Sequence, residues 1–218
     1  MRQYFILALL LGGSLALNNV GAQQIYFEDF EGNNPQVIMN TNNVNSGTTF
    51  DNSWVINNKY AGGQFTPISG TCFNTLNIPT TGAQPNTMSN ANGKYMHISS
   101  SQSQLGTNPM DNAHYCAADQ NCYFPGNYFT RTTTLNTTGI SNVTLKFWWI
   151  AGGSPNAFGE MYYSTNGGST WTQWQGLSLA NQPTWTQTVI ASNIFDNQAN
   201  LMLGWRFVNN NGQAGTLL

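Results

Sequence analysis

The chain has 218 residues, of which only 6 % are charged, six Lys or Arg against eight Asp or Glu, for a formal net charge of −2. Cations this few and this scattered argue against nucleic acid as a partner, because phosphate binding needs clustered Lys or Arg. Seven Trp, nine Tyr and twelve Phe are too many buried-type aromatics for a disordered tract, so the Asn, Thr, Ser, Gln and Gly richness reads as the uncharged surface of one folded domain.

Residues 1–22 read as a secretory signal peptide, with Arg2 ahead of an apolar stretch from Phe5 to Leu17 and a small-residue cleavage site at Val20, Gly21 and Ala22. The apolar run is shorter than the roughly 20 residues of a spanning helix. The mature chain is therefore expected to begin at Gln23, to carry no membrane span and to be secreted or held at the cell surface. Export places Cys72, Cys116 and Cys122 in an oxidising compartment that favours a disulfide, and their spacing does not choose the pair. His114 forms a His-x-Cys-x5-Cys pattern with Cys116 and Cys122, one ligand short of a closed zinc site, so a plain disulfide is the expected use of these thiols.

The first expected strand is Ile25 to Phe30, in which Asp29 shares a face with Glu31 and Glu28 points the other way. These three carboxylates are the densest acidic cluster in the chain. Such hard oxygen donors suit calcium, and the alternative is solvated charge protecting an edge strand. Short strands are expected at Asn52 to Asn57 and Gln64 to Ile68 within a loop-rich region. After Gly93 the pattern clears, with Met96 and Ile98 alternating along a half-buried strand and His97 on its other side as a structural residue. Residues 100–127 read as a long loop or lobe, and Tyr128 to Leu135 returns to strand.

From Val143 to Trp174 the structure is most legible. Val143, Leu145, Phe147 and Trp149 occupy every second position, as one buried face of a strand requires. A Gly- and Pro-bearing connection leads to a second strand through Glu160-Met-Tyr-Tyr-Ser164, and Asn166-Gly-Gly reverses the chain into a third strand beginning at Trp171. Ser164 to Trp171, STNGGSTW, also fits the Asp-box pattern S-x-D/N-x-G-x-T-W of sialidases and other extracellular β proteins, where the box is a folding device. It occurs once, whereas a propeller would repeat it blade by blade. Further strands are expected at Trp185 to Ile190 and Leu201 to Val208, the latter with Leu201, Leu203, Trp205 and Phe207 on one face. Strands, turn-rich joins and no amphipathic helix point to an all-β chain of two packed antiparallel sheets, a β-sandwich best matched by a jelly roll. An immunoglobulin-like sandwich lacks the Cys and Trp spacing.

Taken in order, FEDFEG from Phe27, Trp54, NGKYMHIS from Asn92, TLKFWWIAGG from Thr144, GEMYYSTNGGSTW from Gly159 and LMLGWRFVNNNG from Leu201 resemble the MAM-like jelly-roll modules of bacterial surface proteins. These include the cleaved-adhesin modules of gingipain-type haemagglutinins and similar anchor-associated domains of gliding bacteria. The resemblance spans almost all of residues 25–215 and implies one jelly-roll domain over residues 23–218. In that family the Glu of the first Phe-Glu pair helps hold a structural calcium, joined by an acidic pair in a closing Asp-Asp-Ile strand. Phe30-Glu31 matches the first half, which makes Glu31 and Asp29 the metal candidates. The chain stops at Gly215-Thr-Leu-Leu, where the second half would follow, so the domain is expected to lack its closing strand and to be C-terminally incomplete. A strand left without its neighbour exposes unpaired N–H and C=O groups. Adding roughly the next 20 to 30 native residues, about a strand and its turn, is expected to raise the melting temperature, and no change would count against truncation.

The resemblance implies a non-catalytic adhesion or binding module that engages an extracellular glycan or a surface protein through loops at one end of the sandwich, with its oligomeric state unspecified. Exposed rings cover apolar sugar faces while amides satisfy hydroxyls, which makes Trp148, Tyr162 and Trp174 ligand-binding candidates, set against ordinary core packing. No catalytic residue is expected. Glycoside hydrolysis needs two carboxylates and Glu160 is the only one in the central strands, while HExxH and GxSxG motifs are absent. The alternatives are an accessory domain of a secreted peptidase or glycoside hydrolase whose catalytic domain lies elsewhere, and a ligand-free structural stalk unit.

Overall fold

A computed structural model of the protein describes residues 23–43, 52–65, 76–88, 90–100, 113–115, 126–152 and 155–210. The signal-peptide segment, Cys72, Cys116 and Cys122, and residues 211–218 lie outside these, as does the expected extension of a strand beyond residue 65.

The described chain forms β1 (Val37–Ile38), β2 (Asn52–Asn57), β3 (Gly63–Phe65), β4 (Leu76–Ile78), β5 (Tyr95–Ser100), β6 (Gly126–Thr132), β7 (Thr144–Ala151), β8 (Ala157–Ser164), β9 (Thr172–Gln173), β10 (Gln182–Ala191) and β11 (Met202–Asn209). A short 3-10 turn, Asn193–Phe195, precedes β11. One sheet has five strands in the order β1-β6-β11-β8-β9, and three two-stranded ladders join β10 to β7, β2 to β5 and β3 to β4. Every ladder is antiparallel. The last of the described strands, β11, thus lies at the centre of the large sheet, between β6 and β8. No helix among the described residues is long and apolar enough to cross a membrane.

Alternation along β11 explains how the layers meet. Leu203, Trp205 and Phe207 project to one face and belong to the core, so Gly204 and Arg206 must project to the other. On the inner face, Phe207 joins Tyr128 of β6 and meets Ile98 of β5, Tyr115 and Trp54 of β2; the Trp54 indole N–H is satisfied by the Tyr128 carbonyl at 2.8 Å. Further along, Leu203, Met161 of β8, Leu135, Leu201, Ile190 of β10 and Phe195 form the second core cluster, against which Leu145 and Phe147 of β7 pack. The five-stranded sheet is therefore one layer of a β-sandwich, and the β7–β10 and β2–β5 ladders form the other.

Of the alternation expected for Val143 to Trp149 and for Leu201 to Phe207, Val143, Leu145, Phe147, Leu201, Leu203, Trp205 and Phe207 lie in or against the core clusters. The expected strand at Ile25–Phe30 does not form: residues 23–29 enter no ladder. Its carboxylates bind backbone amides instead. The two oxygens of Glu28 accept from the amides of Phe30 and Gln36, Asp29 accepts from Glu31 N–H at 3.1 Å, and Phe30 has a positive φ of 63°. Local side-chain-to-backbone bonds of this kind compete with sheet pairing. Tyr26 nevertheless packs on the second core cluster, where burial and Glu28 raise its phenol pKa above the ordinary value.

The Asp-box segment is a closed hydrogen-bonded turn. Asn166 Oδ1 accepts from Ser164 Oγ at 2.8 Å and from Thr170 N–H at 3.0 Å, Asn166 Nδ2 donates to Thr170 Oγ1, and Ser164 Oγ accepts from Gly168 N–H at 2.9 Å. Gly167 and Gly168 take positive φ values of 68° and 85°, which glycine adopts without steric cost. The turn throws Trp171 across the outer face of the large sheet, where the space above Gly204 is filled by Trp171 and Phe129. Asn166→Ala removes the three bonds made by its own side chain, to Ser164 Oγ, Thr170 N–H and Thr170 Oγ1, and is expected to cost about 1–2 kcal/mol, read by urea denaturation. Asn166→Asp, which keeps the acceptor, is expected to stay within about 0.5 kcal/mol.

Candidate functional site

Outward positions of the five-stranded sheet gather polar and aromatic groups in adjacent rows. In one row Ile38, Arg131, Gly204, Tyr162 and Gln173 stand side by side on β1, β6, β11, β8 and β9, and in the next Phe129, Arg206 and Glu160 do so on β6, β11 and β8. Since Phe207, Trp205, Met161 and Tyr128 take the inner side, alternation dictates this set.

Glu160 is the hub. Its Oε2 receives Arg206 Nε at 2.7 Å and Nη2 at 2.6 Å together with the Tyr162 hydroxyl at 3.0 Å, and its Oε1 receives Gln173 Nε2 at 3.0 Å. The Glu160 side chain is 11 % exposed and that of Arg206 33 %. The Arg206 guanidinium also lies 4.8 Å from the centre of the Tyr162 ring, a cation–π distance. Burial first, with help from the bond to Glu160 and opposed by Arg206, pushes the Tyr162 phenol up to about 12; it remains a donor through neutral pH. Phe129 meets Trp171 edge-on at 4.9 Å and Tyr162 at 6.0 Å, and Gly204 makes room for that meeting, since a Cβ there would collide with the Phe129 ring. The face therefore combines half-buried indole and phenol rings with guanidinium and amide donors, chemistry capable of ring stacking and of hydrogen bonding.

Of the three ligand candidates, Tyr162 lies in this cluster. Trp148 stands on the outward side of β7, half-buried and opposite Gln187 of β10, in the other layer. Trp174 packs inward, 5.5 Å from Phe195 and 6.0 Å from Tyr163. The structure does not bring the three together. Arg206, Trp171, Phe129, Arg131 and Gln173 were not singled out from sequence. Alternation would have put Arg206 outside once Trp205 and Phe207 were inside, but neighbours across strands follow from register alone.

At the other expected site, Glu31 Oε1 accepts Lys94 N–H at 2.8 Å and presses on Gly93, where a Cβ would collide with it. The Gly93 carbonyl accepts from Tyr60 OH at 2.7 Å and from Gln84 Nε2 at 3.2 Å. Glu31 thus clamps the turn before β5. Asp29 caps its own turn, and among the described residues no group of three or more His, Cys, Asp or Glu gathers. These donors alone fall short of the six to eight oxygens calcium takes.

His97 is structural in its setting, stacked on Tyr95 at 4.6 Å with Nε2 3.0 Å from Asn57 Oδ1. His114 is buried beside β5, bridging Ser99. Comparison of the chain with models of known protein families, with curated proteins and with solved structures returned no significant match.

Proposed function

We propose that the chain is a non-catalytic binding module of an exported surface protein, folded as a jelly roll, which holds a glycan or protein ligand on the outer face of its five-stranded sheet. The observation that carries this reading is the cluster of Trp171, Tyr162, Arg206 and Gln173 around Glu160, on a sheet face whose opposite side already supplies the core. The resemblance to adhesin modules supplies the adhesion class. A binding role is favoured over catalysis because both oxygens of Glu160 are taken up by donors, which leaves no free carboxylate there for proton transfer or nucleophilic attack. This reading puts the ligand on the sheet face rather than on the loops expected at one end of the sandwich, with the 164–171 turn contributing Trp171.

The test is a glycan array and a cell-binding assay on the full chain. Binding is expected, and Trp171→Ala and Tyr162→Ala are each expected to weaken it roughly tenfold, the scale of one stacked ring, with cooperative melting retained. Absence of binding in both assays would leave the stalk reading. A structural calcium at Glu31 is tested by melting in calcium against EGTA. A rise of a few degrees that Glu31→Gln abolishes supports it, and identical curves remove calcium from the proposal.

A further inference from the structure

Charge is distributed unevenly over the sandwich. In the five strands of the large sheet the only ionisable acids and bases of the Asp, Glu, Lys and Arg types are Arg131, Arg206 and Glu160, and all three stand on the outer face. This face has a surplus cation in a chain whose formal charge is −2. Glu160 is neutralised by Arg206 at 2.6 Å. Arg131 has no such partner among the described residues: its Nη1 makes two long contacts, 3.4 Å to the Thr132 carbonyl and 3.4 Å to Met202 Sδ. Arg206 engages Glu160 through Nε and Nη2, which leaves Nη1 available.

We propose that the ligand of this face is an acidic glycan, whose uronate carboxylate pairs with Arg131 while neighbouring sugar rings lie against Trp171 and Tyr162. This rests on the binding-module reading above and adds the ligand class to it. Arg131 and Tyr162 flank Gly204 across two strand spacings, roughly 9–10 Å, a span suited to adjacent sugar units. Arg206 Nη1 and the part of the Gln173 amide not engaged by Glu160 offer further donors and an acceptor for sugar hydroxyls. A sugar is favoured over an acidic peptide because the donors alternate with ring surfaces, which cover the apolar faces of pyranoses. A guanidinium with no counter-ion among the described residues gives a carboxylate its full charge-assisted pairing.

The test is calorimetric titration of the full chain with oligogalacturonate, with the same oligomer fully methyl-esterified, and with polyglutamate. Oligogalacturonate is expected to bind at least about tenfold tighter than the ester and to weaken with added salt. Arg131→Gln, which gives up only two long contacts and whose folding is checked by its melting curve, is expected to bring the acid down to the level of the ester. Lys146→Gln, on the outward side of β7, is expected to leave the preference intact. Equal binding of acid and ester would overturn the acidic class while leaving the module reading. So would a preference that survives Arg131→Gln, or polyglutamate binding tighter than the uronate. Silence toward all three probes and toward the glycan array would overturn both.

Discussion

Arg206→Met is expected to cost about 3 kcal/mol of folding stability, the lower end of what removing one partner of a buried pair costs, and to lower the melting temperature by roughly 6–12 °C. The reason is the difference in burial across the pair. Glu160 keeps only 11 % of its side chain exposed, whereas Arg206 keeps 33 %. Losing the arginine strands a nearly buried carboxylate with only the Tyr162 hydroxyl and the Gln173 amide as donors. Solvent reaching Arg206 softens the loss, which is why the lower end applies. Glu160→Gln should be far milder, about 1 kcal/mol, because the amide oxygen still accepts from Tyr162 or Gln173 and the freed guanidinium can turn toward water. A double variant, Arg206→Met with Glu160→Met, is expected to recover much of the loss, since a buried pair often stabilises no more than apolar groups of the same volume. Urea denaturation of the three variants in a double-mutant cycle measures the coupling. A loss below about 0.5 kcal/mol for Arg206→Met would mean the pair behaves as an exposed one, and would remove Glu160 as the organising group of this face.

What could be read from the residues alone divides along a physical line. Period-two alternation is a local property, so Leu145 and Phe147 of β7, and Leu203, Trp205 and Phe207 of β11, are found on the inner face where the pattern puts them. The Asp-box turn is equally local, because its bonds close within seven residues. Ile25–Phe30 has the same alternation and still enters no ladder, because Glu28 and Asp29 spend their oxygens on nearby backbone amides. A pattern states that a segment could pair, and not whether a partner edge is reached. The outer-face cluster was invisible for a related reason. Phe129, Gly204 and Tyr162 are far apart in sequence and become neighbours only through the insertion of β11 between β6 and β8. Trp174 shows the converse: residue type alone makes it a candidate ring for a sugar face, but its ring packs against Tyr163 and Phe195.

Acidification from pH 7 to pH 4 is expected to remove about 3 kcal/mol through His114 alone. Burial holds this imidazole neutral in the folded protein and lowers its pKa from 6.5 to about 4. In the unfolded chain it titrates near 6.5. Between those values the unfolded state binds a proton that the folded state refuses, so stability falls as pH falls through this window. Above about 6.5 both states are neutral and the group adds no slope; below about 4 both are protonated and the loss is complete. Each unit of difference is worth about 1.4 kcal/mol, which gives the expected size. The consequence is local as well as global. His114 N–H donates to the Ile98 carbonyl at 3.1 Å and Ala113 N–H to the Tyr95 hydroxyl at 3.3 Å, so residues 113–115 strap the edge of β5 and hold Tyr115 against Phe207, 4.8 Å between ring centres. Protonating His114 should loosen this strap first and bring Tyr115 into solvent. Urea denaturation at intervals from pH 7.5 to 4 measures the effect, with His114→Gln as reference. Every other side chain is common to the two proteins, so its contribution largely cancels in the difference. The wild-type curve should therefore fall more steeply than that of the variant between pH 6.5 and 4, and parallel curves would show that His114 is not held neutral by the fold.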